Sequence, residues 1–584
     1  MGSSIYSVDK EHQVSVDVVK ELAIETVNAT EKYTQEDFDR VRRKQDRILM
    51  PLMWIAYGIQ QVDKTGLSTQ ATFGIITDTQ MEGNDYAWLS TIFFIFFLLG
   101  EFPGNWIMQR FSVGKTLAIS MFCWGTIVFC TAAARNWRDL MIMRALQGLA
   151  ESIADPAFLI ITGLSYRTEE HALRPLVGLL TREYRRKLTF TSIAGLIFSA
   201  VVNLINYGIG RAAQAEPRGL AAWKGMSSIS VLVSILCFFL LGTPREVFWL
   251  SPEEKKIQAA RVAHNNTGSD AQERAEWKWS QVSEALVDPQ LYFFFFVTVS
   301  NAIPTGGVNT FGNLIYVSLG FTPLDTLVKG TIPQYVLGVC WLSLAGFILS
   351  KFKHMRFYWM MLSIIPSFVG MLVLYASPLC RAPSKTDPEL SSLVPTTKHN
   401  LWAKWGAFFI TITGQICVGL VWSMLSTNVA GRTKKSVISI VIFVAFCFGN
   451  AVGAQVFQAK WAPRYRPSTI ILSVMFALEF VLMVLWRAYY VAINRRRAAK
   501  LEARGLSLEE RIRLGSLMGE TDITDLHYVH IRELAWTFKS NWMHEKVLWV
   551  AVGAEVQARS AGSKVQMKSS TLGAAKTDGH YYQK

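Results

Sequence analysis

The 584-residue chain lacks most of what a soluble enzyme or a secreted protein carries. Its seven cysteines make no disulfide framework: six lie inside apolar runs and only Cys380 lies between runs. Buried small hydrophobes are the default reading for such thiols. No His/Cys spacing suits a metal, no glycine-rich loop suits a phosphate, and no nucleophile stands near a plausible base. An enzyme is therefore not expected, and neither is a metal or other cofactor. Charged residues are scarce, at 18%. The first residues are polar and charged, so no cleavable signal peptide is visible. The formal net charge of +15 does not indicate nucleic acid, because the basic residues sit mainly between apolar runs and at the ends. That distribution follows the positive-inside rule of membrane proteins.

What is abundant is apolar: 51% hydrophobic residues, with 35 Phe and 19 Trp. Runs of roughly 20 apolar residues recur, each able to cross about 30 Å of hydrocarbon. Twelve spans are expected, near 48–66, 87–107, 116–134, 138–163, 188–209 and 226–243, then 289–311, 327–350, 357–377, 402–425, 436–458 and 469–493. The expected class is an all-α membrane protein of two pseudo-symmetric six-helix bundles, 47–243 and 289–494. A charged central loop, 244–288, joins them. A polar segment, 1–46, precedes them, and a basic tail, 495–584, follows. The even count puts both termini on one side. The Lys/Arg bias of the loops makes that side the cytosol, with Lys460, Arg464 and Arg466 running against the rule. QRFSVGK after span two and SKFKHMR after span eight echo one another, as duplicated halves or by chance. TREYRRK, 181–187, interrupts the junction of spans four and five like an insertion.

The stretch LMIMRALQGLAESIADPAFLIITG, residues 140–163, organises the reading. At 3.6 residues per turn, Arg144, Gln147, Gly148 and Glu151 share one face, with Arg144 and Glu151 about 10 Å apart. A charge at bilayer depth costs roughly 2.5–3.5 kcal/mol on insertion scales, so such groups face a protein interior or a wet cavity. Either a structural ion network or a transport pathway for an anion and a proton satisfies that.

Depth arithmetic places Asp63 and Arg144 roughly 8–9 Å below the outer edge, so the two can pair. Lys64 points about 100° away from Asp63. It either faces a central cavity, as an unpaired cation suited to a carboxylate, or snorkels outward. Glu151 lies roughly 20 Å deep, where a desolvated carboxyl can carry a proton near neutral pH. Glu101, in GEFPGN, can share that role or orient the bend at Pro103. In the second half, Asn301, Asn309, Gln415 and Asn450 can line the pocket, or simply hydrogen-bond between helices.

At these residues the chain resembles the anion:cation symporter group of the major facilitator superfamily, in its fungal allantoate permease branch, which includes nicotinate and pantothenate carriers. QVDKTGLSTQATFGIITD, FFLLGEFPGNWIMQRF, RALQGLAES, GGVNTFGNLIYVSLGF, NVAGRTKK and FGNAVGAQVF carry the likeness over about residues 45–495. The resemblance implies that Asp63 pairs with Arg144, Lys64 meets the substrate anion, and Glu151 carries the proton. The loop Asp that the superfamily has after span two is absent here. Lys64 replaces a frequent Arg, a point charge in place of a bidentate fork. The expected function is alternating-access, proton-coupled symport of a small organic anion by a monomer in the plasma membrane. The alternative is a transporter-like nutrient sensor with little flux.

Overall fold

The computed structural model describes residues 33–165, 190–215, 247, 249–263, 278–352, 355–376, 398–415, 417–462 and 465–503. All lie in one unit, Met1–Glu533. The second unit, Leu534–Lys584, lies outside the described residues, as do the sixth expected span, the TREYRRK segment and most of the tail.

The described residues form helices and no strand. The membrane-spanning set is α1 (Gln35–Thr72), α2 (Asp85–Arg110), α3 (Val113–Cys130), α4 (Trp137–Glu151), α5 (Ala154–Ser165) and α6 (Phe190–Ala215). Two shorter helices follow, α7 (Pro252–Ala263) and α8 (Trp279–Val287). The second set is α9 (Pro289–Ser318), α10 (Ile332–Lys351), α11 (Arg356–Ala376), α12 (Lys398–Phe409), α13 (Ile412–Gln415), α14 (Cys417–Asn428), α15 (Arg432–Gln455) and α16 (Arg466–Ala503). Nine stretches among the described residues are long and apolar enough to cross a membrane. The first expected span lies within α1 and the fourth is divided between α4 and α5, outside those nine.

Helix α1 starts at Gln35 and runs across the expected 46/47 boundary without a break. Thr34 and Asp37 form a capping box at its start: the Asp37 N–H donates to Thr34 Oγ1 and the Thr34 N–H to Asp37 Oδ2, both at 3.3 Å. The fourth span is not one helix. It turns at Ser152–Ile153, because Pro156 has no N–H to donate and its ring crowds the carbonyl four residues back. Glu151 is thereby the last residue of α4. The tenth span turns at Ile410–Thr411, where the Ser367 hydroxyl donates to the Thr411 carbonyl at 3.0 Å.

Glycine sets the close approach of α2 to α4: a Cβ on Gly148 would collide with the Phe93 carbonyl oxygen. Gly306 does the same for α9 and α15, where a Cβ would lie 2.5 Å from the Asn450 carbonyl oxygen. Small residues let backbones meet where lipid offers no hydrophobic drive for association.

The side on which α1 enters is here the near side, and the opposite one the far side. On the near side, Lys44 of α1 donates to Glu254 of α7 at 2.6 Å, over an apolar cluster of Phe38, Val41, Val247, Leu250 and Ile257. Lys434 at the start of α15 is fully buried between Glu284 (3.0 Å) and Asp288 (2.6 Å). The two ends of the central loop are thus each pinned to a different bundle.

Candidate substrate and coupling site between the bundles

The common face of α4 turns inward: Arg144, Gln147 and Glu151 are all buried. Glu151 pairs with Lys64 of α1, with Oε1 and Nζ 3.3 Å apart. Lys64 also lies 5.2 Å from the centre of the Phe97 ring, a cation–π contact that holds the ammonium on the inner side of α1. The end of a helix carries partial negative charge, which a cation at the last residue of α4 offsets. Lys64 was expected to stand unpaired; it is instead the counter-ion of Glu151. Asp63 accepts a hydrogen bond from the Gln147 amide rather than forming a direct ion pair with Arg144. Arg144 is still close enough for its charge to act on Asp63 and on Tyr86.

Glu101 accepts from Asn105 at 3.1 Å, one turn on in the helix that contains Pro103. Asp155 lies within charge range of both Glu101 and Glu151. Cys447 of α15 feels Lys64, Glu101 and Asp155, so this charge cluster faces the other bundle. The contact there is aromatic, Phe97 on Phe443 at 5.3 Å and Phe94 on Phe446 at 6.2 Å.

One helical turn toward the far side, Thr65 and Ser68 open on a cavity of about 40 Å³. Asn309 of α9 and Gln415 of α13 line its opposite wall, with Gln334 and Tyr335 of α10. Asn450, expected with them, is elsewhere: its amide donates to the Phe446 carbonyl at 2.8 Å and its backbone is wedged against Gly306. Ligand sites are typically about 300–1,000 Å³, so this space as it stands takes only water-sized contents.

On the far side a belt of neutral hydrogen bonds closes the bundles. Asn313 donates to Ser68 and Thr69, both at 3.0 Å, and accepts from Thr331 at 2.8 Å. The Tyr86 hydroxyl donates to the Thr310 carbonyl at 2.6 Å. Gln455 donates to Thr91 at 2.8 Å, and Thr91 to the Ala451 carbonyl at 3.1 Å. These Ser, Thr and Asn residues carry no distinguishing spacing, so the belt was not foreseen. Tyr86 joins it to the charge of Arg144.

The sequence profile of the Major Facilitator Superfamily matches residues 53–454. The chain belongs to that superfamily. An uncharacterised transporter of Schizosaccharomyces pombe is 30% identical over 498 residues, covering 84% of this chain and 87% of its own. Allantoate permease of Saccharomyces cerevisiae is 28% identical over 518 residues, covering 87% and 88%. Among solved structures, the xylose transporter XylE from E. coli matches with a TM-score of 0.51 and 14% identity, over 74% of this chain and 96% of that one. At that identity the likeness speaks for the fold alone. This superfamily member is a multi-pass transporter with the twelve-helix fold of two pseudo-symmetric bundles.

Proposed function

We propose that this transporter is a proton-coupled symporter of small organic anions in the plasma membrane, working as a monomer with both termini in the cytosol. The observation that carries the reading is the buried Lys64–Glu151 ion pair at the interface between the bundles. Leaving one partner of such a pair alone costs about 3–5 kcal/mol. Lys64 therefore needs an anion at all times. Glu151 supplies it when ionised. When Glu151 takes a proton, Lys64 loses that carboxylate charge and a substrate carboxylate can replace it. Ion pair and protonated, substrate-loaded complex then carry the same net charge, and each ligand favours the binding of the other, which is the linkage symport requires.

The other residues divide the remaining work. Gln147 and Arg144 hold Asp63, which keeps α1 rotated so that Lys64 meets Glu151. Asn309 and Gln415 supply neutral donors and acceptors that fix the rest of the substrate. Glu101 and Asp155 form the near-side exit for the proton. The closed far side and the formed ion pair correspond to the substrate-free carrier after release to the cytosol. The relative that is an allantoate permease makes allantoate the first compound to try. Uptake of labelled allantoate and other carboxylates is measured in a transport-deficient host at two external pH values. The reading expects saturable uptake that rises as the outside is acidified. Ligand-induced signalling without flux would replace it by a sensor.

A further inference from the structure

Glu479 is fully buried in the middle of α16, inside the run ALEFVLMV. No basic side chain lies within 4 Å of it among the ion pairs of the described residues. Both of its oxygens are reached by the Asn301 amide of α9, at 2.9 and 3.1 Å. The same amide donates to the Gly414 carbonyl of α13 at 2.8 Å. Gly414 precedes Gln415, which lines the cavity, and follows the turn at Ile410–Thr411. One nitrogen thus joins a buried carboxyl to the wall of the candidate substrate site.

We propose that Glu479 is a second proton-binding residue of this transporter, and that Asn301 relays its protonation state to Gln415. This rests on the cavity being the substrate site. A carboxylate charge in hydrocarbon without a counter-ion is not sustained; a bound proton neutralises it. The charged form draws both amide protons of Asn301 toward itself. The neutral form leaves one of them to Gly414. The short helix α13, detached from α12 by the turn, is the element that can respond.

Among the described residues, the elements around Glu479 bring no second carboxyl or histidine to it. From α14 the Cys417 thiol lies against Glu479. Helix α9 has no acidic or basic side chain, and α11 only Arg356, its first residue. On α16 itself Arg487 is roughly 12 Å along the axis and stacks over Tyr358 at 4.2 Å. Lys404, on α12, is roughly 20 Å from Cys417 along the tenth span. Glu479 is a positioning residue: it acts on the substrate through Asn301 and Gln415.

Two readouts that need no transport test this on the purified full-length protein in lipid nanodiscs. In the infrared spectrum, a protonated-carboxyl C=O band should titrate with pH. One component of it should be lost in Glu479→Gln and kept in Glu151→Gln. The second readout is the rate at which Gln415→Cys reacts with N-ethylmaleimide, localised by peptide mass spectrometry. A plain thiol below its own pKa gains tenfold in thiolate per pH unit. Gln415→Cys should depart from that slope, and adding either Glu479→Gln or Asn301→Ala should restore it. Asn301→Ala should keep the infrared band. An infrared spectrum unchanged by Glu479→Gln overturns proton binding. A Gln415→Cys slope that ignores both changes overturns the relay. Absence of pH-driven uptake, with both readouts as expected, would fail the symport reading alone.

Discussion

Helices α1 to α6 and helices α9 to α16 bury polarity in different ways. The first bundle sets opposite charges against one another: Lys64 with Glu151, and Asp63 beside Gln147 and Arg144. The second bundle relies on amides and hydroxyls, with Asn301, Asn313, Ser367 and Thr413 hydrogen-bonded across helices and Glu479 its single acidic group in mid-span. A charge pair changes its partner for a full unit of charge, so it can register a proton or an anion. A neutral hydrogen bond has little salt or charge dependence and reads shape. On the proposed reading, the Lys64–Glu151 pair of the first bundle couples, and Asn309 and Gln415 of the second discriminate, with Glu479 as the second bundle's own link to protons.

The largest effect expected from breaking the contrast is at Lys64. Lys64→Ala leaves Glu151 without its cation, and pairs of this kind lose about 3–5 kcal/mol when one partner goes. Membrane abundance should fall, and any protein that remains should bind carboxylates far more weakly. Lys64→Ala combined with Glu151→Gln should recover abundance but not binding. Quantitative blots together with ligand-induced thermal shifts separate the two. Equal abundance of the single and the double variant would deny the pairing.

Next come Asn309→Ala and Gln415→Ala. Each removes one hydrogen bond of about 1 kcal/mol, close to a fivefold change in apparent affinity. The change should differ from one carboxylate to another, and in Asn309→Ala the dependence on external pH should stay as in the parent. If Asn309→Ala shifts the pH profile and spares the substrate preference, the division of labour between the bundles is reversed.

How much of this the sequence disclosed depends on which coordinate it encodes. Rise per residue and the 3.6-residue period made the described spans and the buried common face of Arg144, Gln147 and Glu151 legible. Rotation of α1 about its own axis was not, because depth says nothing of azimuth. Lys64 was accordingly expected to be free when it faces Glu151. The turn at Ser152–Ile153 has a visible cause in Pro156, yet the apolar run through it reads as one helix. Glu479 does not stand out in the sequence, because one acidic residue barely lowers the apolarity of its span. The far-side belt is built from Ser, Thr and Asn, residues too common to single out by pattern.

A smaller effect is expected at that belt. Asn313→Ala removes the amide bond to Thr69 and the acceptor of Thr331, about 1 kcal/mol each. The far side should open more often, and Thr65→Cys should label several times faster with an impermeant thiol reagent applied there. Unchanged labelling would mean that the belt does not limit opening.

The smallest effect concerns the near side and pH. Burial pushes the Glu254 carboxyl up, but the Lys44 ammonium and the Ser251 N–H outweigh it and hold it below the usual carboxylate range. A lowered folded-state pKa stabilises above the unfolded value and is lost as pH falls through the folded one. Hydrogen exchange of α7 should therefore quicken only once the pH has fallen below the ordinary glutamate range. In Lys44→Ala the onset should move to higher pH. An onset that does not move would remove the Lys44–Glu254 contact from the account.

The central claim is that one proton on Glu151 releases Lys64 for one anion. Glu151→Gln fixes the protonated condition. The direct test is the variant in proteoliposomes with labelled allantoate, or with whichever carboxylate the parent transports. It should exchange labelled for unlabelled substrate across the membrane, yet fail to concentrate it when the outside is acidified. Accumulation by Glu151→Gln in response to a proton gradient would contradict the account.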